Sequence, residues 1–261
     1  MYDARQALLI KLYNSTSKHS NYQILPSRLR ELVDPKAIVT SSRFERERWD
    51  YLVGLLDFSK ATVVDIGGNT GYFTYEAIEA GASHVSYFEG NSIHAEFVKQ
   101  SASIIGWDAH ITVNNEYINI ADGGLKERAD IVLLLNVLHH IGDDYGDKTI
   151  NRIQALESIK AALKKLSESA KHLVFQLGFN WKGDIKLPLF EHGEKAELID
   201  FLRNSLQGYW EIVHIGVAER VTGNIIFKEA SSINMTRDDA LGEFLNRPLF
   251  IMKSCCHKTA E

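Results

Sequence analysis

Cysteine is nearly absent from this chain: its 261 residues include two, Cys255 and Cys256, side by side. Adjacent cysteines close no loop, so a disulfide framework is excluded and the pair reads as free thiols at the end of a strand. Long apolar runs are also missing. No stretch of 18 apolar residues exists, which excludes a membrane-spanning helix, and MYDARQALLIKLYN is too charged and too short in its apolar part for a secretory signal. A cytoplasmic protein without a membrane partner is expected. Positive charge is not in excess: 29 Lys and Arg against 34 Asp and Glu leave a net charge of −5, with a pI near 6.1. That balance argues against broad binding to nucleic acid. Repeats and low-complexity segments are absent. What is present is 45% hydrophobic and 24% charged sequence, enough for a full core in one large domain with an appendage.

The most informative stretch is VVDIGGNTGYFT at 63–74. Ala61 to Ile66 reads as a parallel strand buried on both faces, apolar except for Asp65 at its end. Gly67, Gly68 and Gly71 allow positive φ and close backbone approach, and Asn69 can visit the left-handed region. GYFTYEAIEAG then reads as a helix whose first amides face whatever the loop holds. The spacing G-G-x-x-G is not the G-x-G-x-x-G of dinucleotide dehydrogenases, and the plainer alternative is a tight β-α connection. A second strand, HVSYFEGN at 84–91, ends in Glu89, 24 residues after Asp65. There a carboxylate can hold a ribose diol; the alternative is a glutamate capping the helix at 91–106. The third landmark, ADIVLLLNVLHHIGDD at 129–144, is an apolar strand running into Asn136, His139, His140 and an acid pair.

With these landmarks in this order, the chain resembles the class I S-adenosylmethionine-dependent methyltransferases. Their core carries D-x-G-x-x-x-G after the first strand, an acid after the second and a polar residue followed by L-H-H after the fourth. The resemblance covers roughly 60–254, with one departure: Asn69 stands where the commonest loop has its middle glycine. It implies an α/β fold with a seven-stranded Rossmann-like sheet, mostly parallel with an antiparallel last strand, and helices on both faces. It also implies S-adenosyl-L-methionine as cofactor. Asp65, Gly67, Gly68 and Gly71 would line its amino acid tail and Glu89 would take the ribose hydroxyls. Asn115 and Glu116 fall where the adenine amino group is recognised, and Asn136 beside the methyl-bearing sulfur, through its backbone carbonyl. Asn69, Gly90 and Asn91 complete the cofactor set.

The remaining pattern gives the organisation. Residues 1–58 hold the helical patterns RQALLIKLY and FERERWDYLVGLL, separated by NSTSKHSN, Pro26 and Pro35, and form an N-terminal helical cap on a domain at 59–261. Strands near 61–66, 84–89, 109–114, 130–136 and 171–178 alternate with helices near 71–80, 91–106 and 149–169, the last with a core stripe of Ile150, Ile153, Leu156, Ile159, Leu163 and Leu166. A helix at 195–206 and strands at 210–219 and 248–254 follow. The 220–247 insertion is longer than usual connections and is expected to carry substrate contacts.

Methyl transfer needs orientation and exclusion of water, and a base only for a poor nucleophile. His139 and His140 are the candidate bases, with Asp143, Asp144 and His192 as others and a packing role for the histidines as the alternative. Adjacent histidines point apart, so no metal site is expected. After the fifth strand, FQLGFNWKGDIKLPLFEHGE brings Gln176, Asn180, Trp181, Lys182 and Asp184 to one sheet edge, suited to a polar ligand; a capping loop with a packed Trp is the alternative. Arg43, in SSRFERERWDYL, is a further substrate candidate. The expected activity is O-methylation of a small polar or carbohydrate acceptor. The alternatives are a tRNA- or protein-modifying enzyme, with a basic surface of Arg28, Arg30, Arg43 and Arg46, and a non-catalytic binding protein of the same fold.

Overall fold

The computed structural model describes residues 3–15, 17, 19–118, 120 and 124–256. The chain divides into two compact units, Met1–Ile118 and Asn119–Glu261. The first opens on α1 (Ala4–Tyr13), started by a capping box in which Asp3 and Gln6 satisfy each other's backbone N–H. Two 3-10 turns, Ser27–Glu31 and Pro35–Ala37, lead to α2 (Glu45–Val53). Then β1 (Thr62–Ile66), α3 (Tyr72–Glu79), β2 (His84–Phe88), α4 (Ser92–Ile105) and β3 (Ile111–Asn114) alternate. The three strands pair in parallel in the order β3-β2-β1. Val63 to Ile66 are all buried, as a strand covered on both faces requires. The N-terminal segment shares this core: Leu9, Tyr13, Leu25, Leu29 and Val33 cluster with Tyr75, Phe97 and Val98. Tyr13 meets Phe97 edge-on at 5.3 Å between centroids, a geometry the ring quadrupoles favour.

The second unit holds β4 (Ala129–Leu135), α5 (Arg152–Leu166), β5 (Ala170–Gln176), α6 (Lys195–Leu206), β6 (Trp210–Val221), β7 (Asn224–Glu229), α7 (Gly242–Leu245) and β8 (Leu249–Ser254). Their order is β4-β5-β8-β6-β7, with β4 and β5 parallel and every later pairing antiparallel. The last strand therefore lies inside, between β5 and β6, and Leu249 to Met252 are buried. Trp210, at the start of β6, donates its indole N–H to Leu163 O at 2.7 Å and so ties that strand to α5.

The alternation of strands and helices is as expected, with one strand more. β7 falls within the 220–247 insertion. Thr222 at φ 48° and Gly223 at φ 88° form a two-residue turn with Val221 paired to Asn224, the primed geometry that matches strand twist. The helix expected over 149–169 is shorter. Asn151 accepts from Gln154 N and caps it, so Ile150 precedes the helix. Ile153 is 66% exposed, and the buried stripe runs through Ala155, Ile159, Ala162, Leu163 and Leu166. Two alanines complete the face that a reading of bulky residues had assigned to Ile150 and Ile153. Among the described residues, no helix is long and apolar enough to cross a membrane.

Candidate functional site

In the first unit, the loop after β1 is built from tight backbone approaches. Gly67 and Gly68 both donate to Phe88 O, at 2.8 and 3.2 Å, which ties the loop to the end of β2. At Gly68 a Cβ would stand 2.5 Å from the Tyr87 ring and 2.8 Å from Asp65 Oδ2; nothing larger than glycine fits. Gly71, at φ 83°, leads into α3. Asn69 is left-handed at φ 54°, and its carbonyl accepts the Tyr87 hydroxyl.

Glu89 spans two loops. Its Oε2 accepts from Asn69 N at 2.9 Å and its Oε1 from Asn91 N at 2.7 Å. It does not cap the following helix: Asn91 does, accepting from Ile93 N and His94 N. Gly90 packs against Tyr117, whose ring would lie 2.2 Å from a Cβ there. Asn115 and Glu116 are exposed, and Asn115 Nδ2 donates to Glu89 O at 2.8 Å. Asp65 is fully buried and accepts from Thr74 Oγ1 at 2.7 Å. Burial pushes its carboxyl up to about 7, against the lowering effect of Thr74 and with a further push from Glu89.

Sequence reading missed the N-terminal contribution to this loop. His19 O accepts from Asn69 Nδ2 at 2.8 Å. Gln23 Oε1 accepts from Tyr72 N at 3.0 Å, covering the first amide of α3, and from Thr70 Oγ1 at 3.2 Å. Ser17 Oγ accepts from Asn91 Nδ2 at 2.7 Å. No local pattern announces contacts separated by 50 residues. Arg43 lies in the same unit, its guanidinium 4.6 Å above the Tyr22 ring.

In the second unit the polar residues gather beyond β4 and β5. His139 is 2% exposed, and its Nδ1 accepts from Gly178 N at 3.3 Å. That bond puts the proton of the neutral ring on Nε2 and marks His139 as a packed, oriented residue. His140 is the more accessible of the two, and its Nδ1 lies 3.3 Å from Asp144 Oδ2. The rings of the two histidines lie 4.2 Å apart. Trp181 is buried and donates its indole N–H to Ile141 O at 2.7 Å, which fastens the histidine loop to the segment after β5. Lys182 folds back over the Trp181 ring at 4.4 Å. Asn180 bridges to Pro188, and Asp184 caps Lys186 N. Asp143 stays on the histidine turn, its N–H donating to His140 O at 3.0 Å. His192 is exposed ahead of α6, its N–H on the Glu197 carboxylate.

Asn136 stands at φ 61° directly after β4. Its Nδ2 donates to Gln176 Oε1 and its Oδ1 accepts from Arg247 Nη1, both at 2.8 Å. Glu243 and Arg247 were not anticipated. E-x-x-x-R is legible as an i, i+4 pair, but not as one reaching the ends of two strands.

No protein-family model and no curated protein matches the chain. Solved structures do. WbdD is 13% identical with a TM-score of 0.59, over 94% of this chain and 46% of that one, so the chain spans about half the length of WbdD. PH1948 of Pyrococcus horikoshii, an RNA methyltransferase candidate, is 12% identical with a TM-score of 0.47, over 96% and 98%. Magnesium protoporphyrin IX methyltransferase ChlM of Synechocystis PCC 6803, solved with bound SAM, is 15% identical with a TM-score of 0.48, over 80% and 79%. With its helices alternating with parallel strands and its antiparallel ending, the chain has the Rossmann-like methyltransferase fold.

Proposed function

We propose that the chain is an S-adenosylmethionine-dependent methyltransferase acting on the oxygen of a small polar or carbohydrate acceptor. The observation that carries this reading is Glu89, held between the glycine loop and the start of α4 by one backbone N–H on each oxygen. A fixed, acceptor-only carboxylate beside a glycine loop matches the two hydroxyl donors of a ribose. The loop fits the rest of a nucleoside cofactor: the side-chain-free backbone of Gly67, Gly68 and Gly71 would let the amino acid tail approach closely, and Asn115, already anchored on Glu89 O, would meet the base. Gly90, Asn91, Glu116 and Asn136 keep the cofactor roles expected of them. When bound, the cofactor supplies a methyl group already activated by positive sulfur.

The chain's own part is then orientation and, for a hydroxyl acceptor, removal of a proton. Of the two candidate bases His140 is favoured, because Asp144 faces its Nδ1, an arrangement that leaves Nε2 as the basic nitrogen. His139 is assigned to packing. Asn180 and Lys182 remain the proposed acceptor contacts, and Trp181 their support. Residues 1–58 are assigned the role of a cap on the cofactor loop, supported by the bonds from His19 and Gln23. A small acceptor is favoured over RNA because three arginines of that surface are engaged locally: Arg28 with Glu31, Arg30 with Leu25 O and Arg43 over the Tyr22 ring.

The test is calorimetric titration of the protein with S-adenosylhomocysteine, with NADH as control. Micromolar binding that weakens at least tenfold in Glu89→Ala is expected, a loss of about 1.4 kcal/mol or more. Binding of RNA with steep salt dependence would favour the nucleic-acid alternative, and binding of no adenosyl ligand would return the loop to a structural turn.

A further inference from the structure

Three residues of the second unit, Arg247, Asn136 and Gln176, form a one-directional ring of hydrogen bonds that closes through the Arg247 carbonyl. Arg247 Nη1 donates to Asn136 Oδ1 at 2.8 Å, Asn136 Nδ2 donates to Gln176 Oε1 at 2.8 Å, and Gln176 Nε2 donates back to Arg247 O at 2.9 Å. Guanidinium has donors and no acceptor, and the Arg247 carbonyl only accepts, so the two ends together set the sense of this ring: the oxygen of Asn136 faces the guanidinium and its amide nitrogen faces Gln176 Oε1. Gln176 is fully buried and has no solvent alternative.

Arg247 is itself held. Its Nε lies 3.1 Å from both Glu243 oxygens, its Nη2 donates to Glu243 Oε2, and its plane lies 5.1 Å over the Phe244 ring. Glu243 Oε1 also accepts from Phe179 N at 3.1 Å, so the pair touches the segment after β5 as well as the residue after β4. The insertion carrying Glu243 is pinned in turn. Buried Lys195 donates to Thr236 O at 2.7 Å, Arg237 donates to Gly193 O at 2.7 Å, and Asn246 exchanges hydrogen bonds with the backbone of Asp238.

We propose that Arg247, oriented by Glu243, is a positioning residue that holds the Asn136 side chain and with it the left-handed backbone that aims the Asn136 carbonyl for ligand binding, so that the end of the 220–247 insertion tunes the site from outside it. The proposal rests on the reading of Asn136 as a cofactor contact. Lysine at 247 keeps a donor without an acceptor but cannot span Glu243 and Asn136 as a planar fork does. Methionine leaves the Asn136 oxygen without its charged donor, so that Asn136 is held from the Gln176 side only.

The experiment is a double-mutant cycle read by titration with S-adenosylmethionine and S-adenosylhomocysteine, with circular dichroism on each variant as a check of folding. Arg247→Met and Asn136→Ala are each expected to weaken binding about tenfold, and Arg247→Lys to recover part of the loss. The double variant should bind no worse than Asn136→Ala alone, because Arg247 acts through Asn136. A structural role would give additive losses, and additivity, or wild-type affinity in Arg247→Met, would overturn the proposal while leaving the cofactor reading intact. Absence of binding by the unaltered protein would sink that reading and this proposal with it. Should Arg247→Met fail to fold, Glu243→Gln and Arg247→Lys carry the same cycle against Asn136→Ala.

Discussion

At the residue scale, Asp65 shows burial and charge in direct competition. Its carboxyl is raised from 3.8 to about 7, chiefly by desolvation. The native state therefore holds the proton more tightly than the unfolded chain. The stability this contributes is complete below 3.8 and is lost as pH rises through about 7. Urea midpoints measured across that window should fall with rising pH, and Asp65→Asn should flatten the decline; an unchanged slope would remove Asp65 as its cause. His140 belongs to the same scale. Once a hydroxylated acceptor is found, His140→Gln should lower the rate of methyl transfer by about 100-fold or more, with cofactor affinity changed only a few-fold. An unaffected rate would make His140 a packing residue like His139. Asp65 and Glu89 were legible because each closes a strand next to glycines. Gln23, Glu243 and Arg247 were not, because what gives them meaning is a partner far along the chain.

At the element scale, the β6–β7 hairpin is a local device hidden inside an apparent insertion. Its turn requires positive φ at both central residues. Thr222 meets that requirement at φ 48° despite its branched Cβ, and Gly223 meets it at φ 88° with nothing within 4 Å of a Cβ. Gly223→Ala should thus cost about 1 kcal/mol through backbone conformation alone. Thr222→Asn, which creates the preferred Asn-Gly pair, should stabilise. Thermal melts of the two variants should shift in opposite directions by a few degrees; a common direction would contradict the turn assignment. The hairpin was missed because Val-Thr-Gly-Asn is a weak turn signal. α5 was found with its boundary displaced, since its cap at Asn151 outweighs the apolar residues before it.

At the scale of the whole molecule, chain order and spatial order diverge. β8 is the last strand in sequence, yet it pairs with β5 on one side and β6 on the other. A chain ending before Leu249 should leave two strands without their partner and expose the apolar faces it covers. Such a truncation is expected to lose cooperative unfolding of the second unit by circular dichroism, whereas a retained sharp transition would show β8 to be dispensable. Much was determined by the sequence alone. Apolar runs ending in acids and glycines dictate alternating strands and helices, because a parallel strand buried on both faces tolerates polar groups only at its ends, and the same residues mark the glycine loop proposed to hold the cofactor. Only tertiary structure decided that β8 enters between β5 and β6, that Gln23 covers the start of α3 and that Arg247 orients Asn136. Strand pairing and side-chain hydrogen bonds join residues distant along the chain, and local pattern carries no record of which partner each will meet.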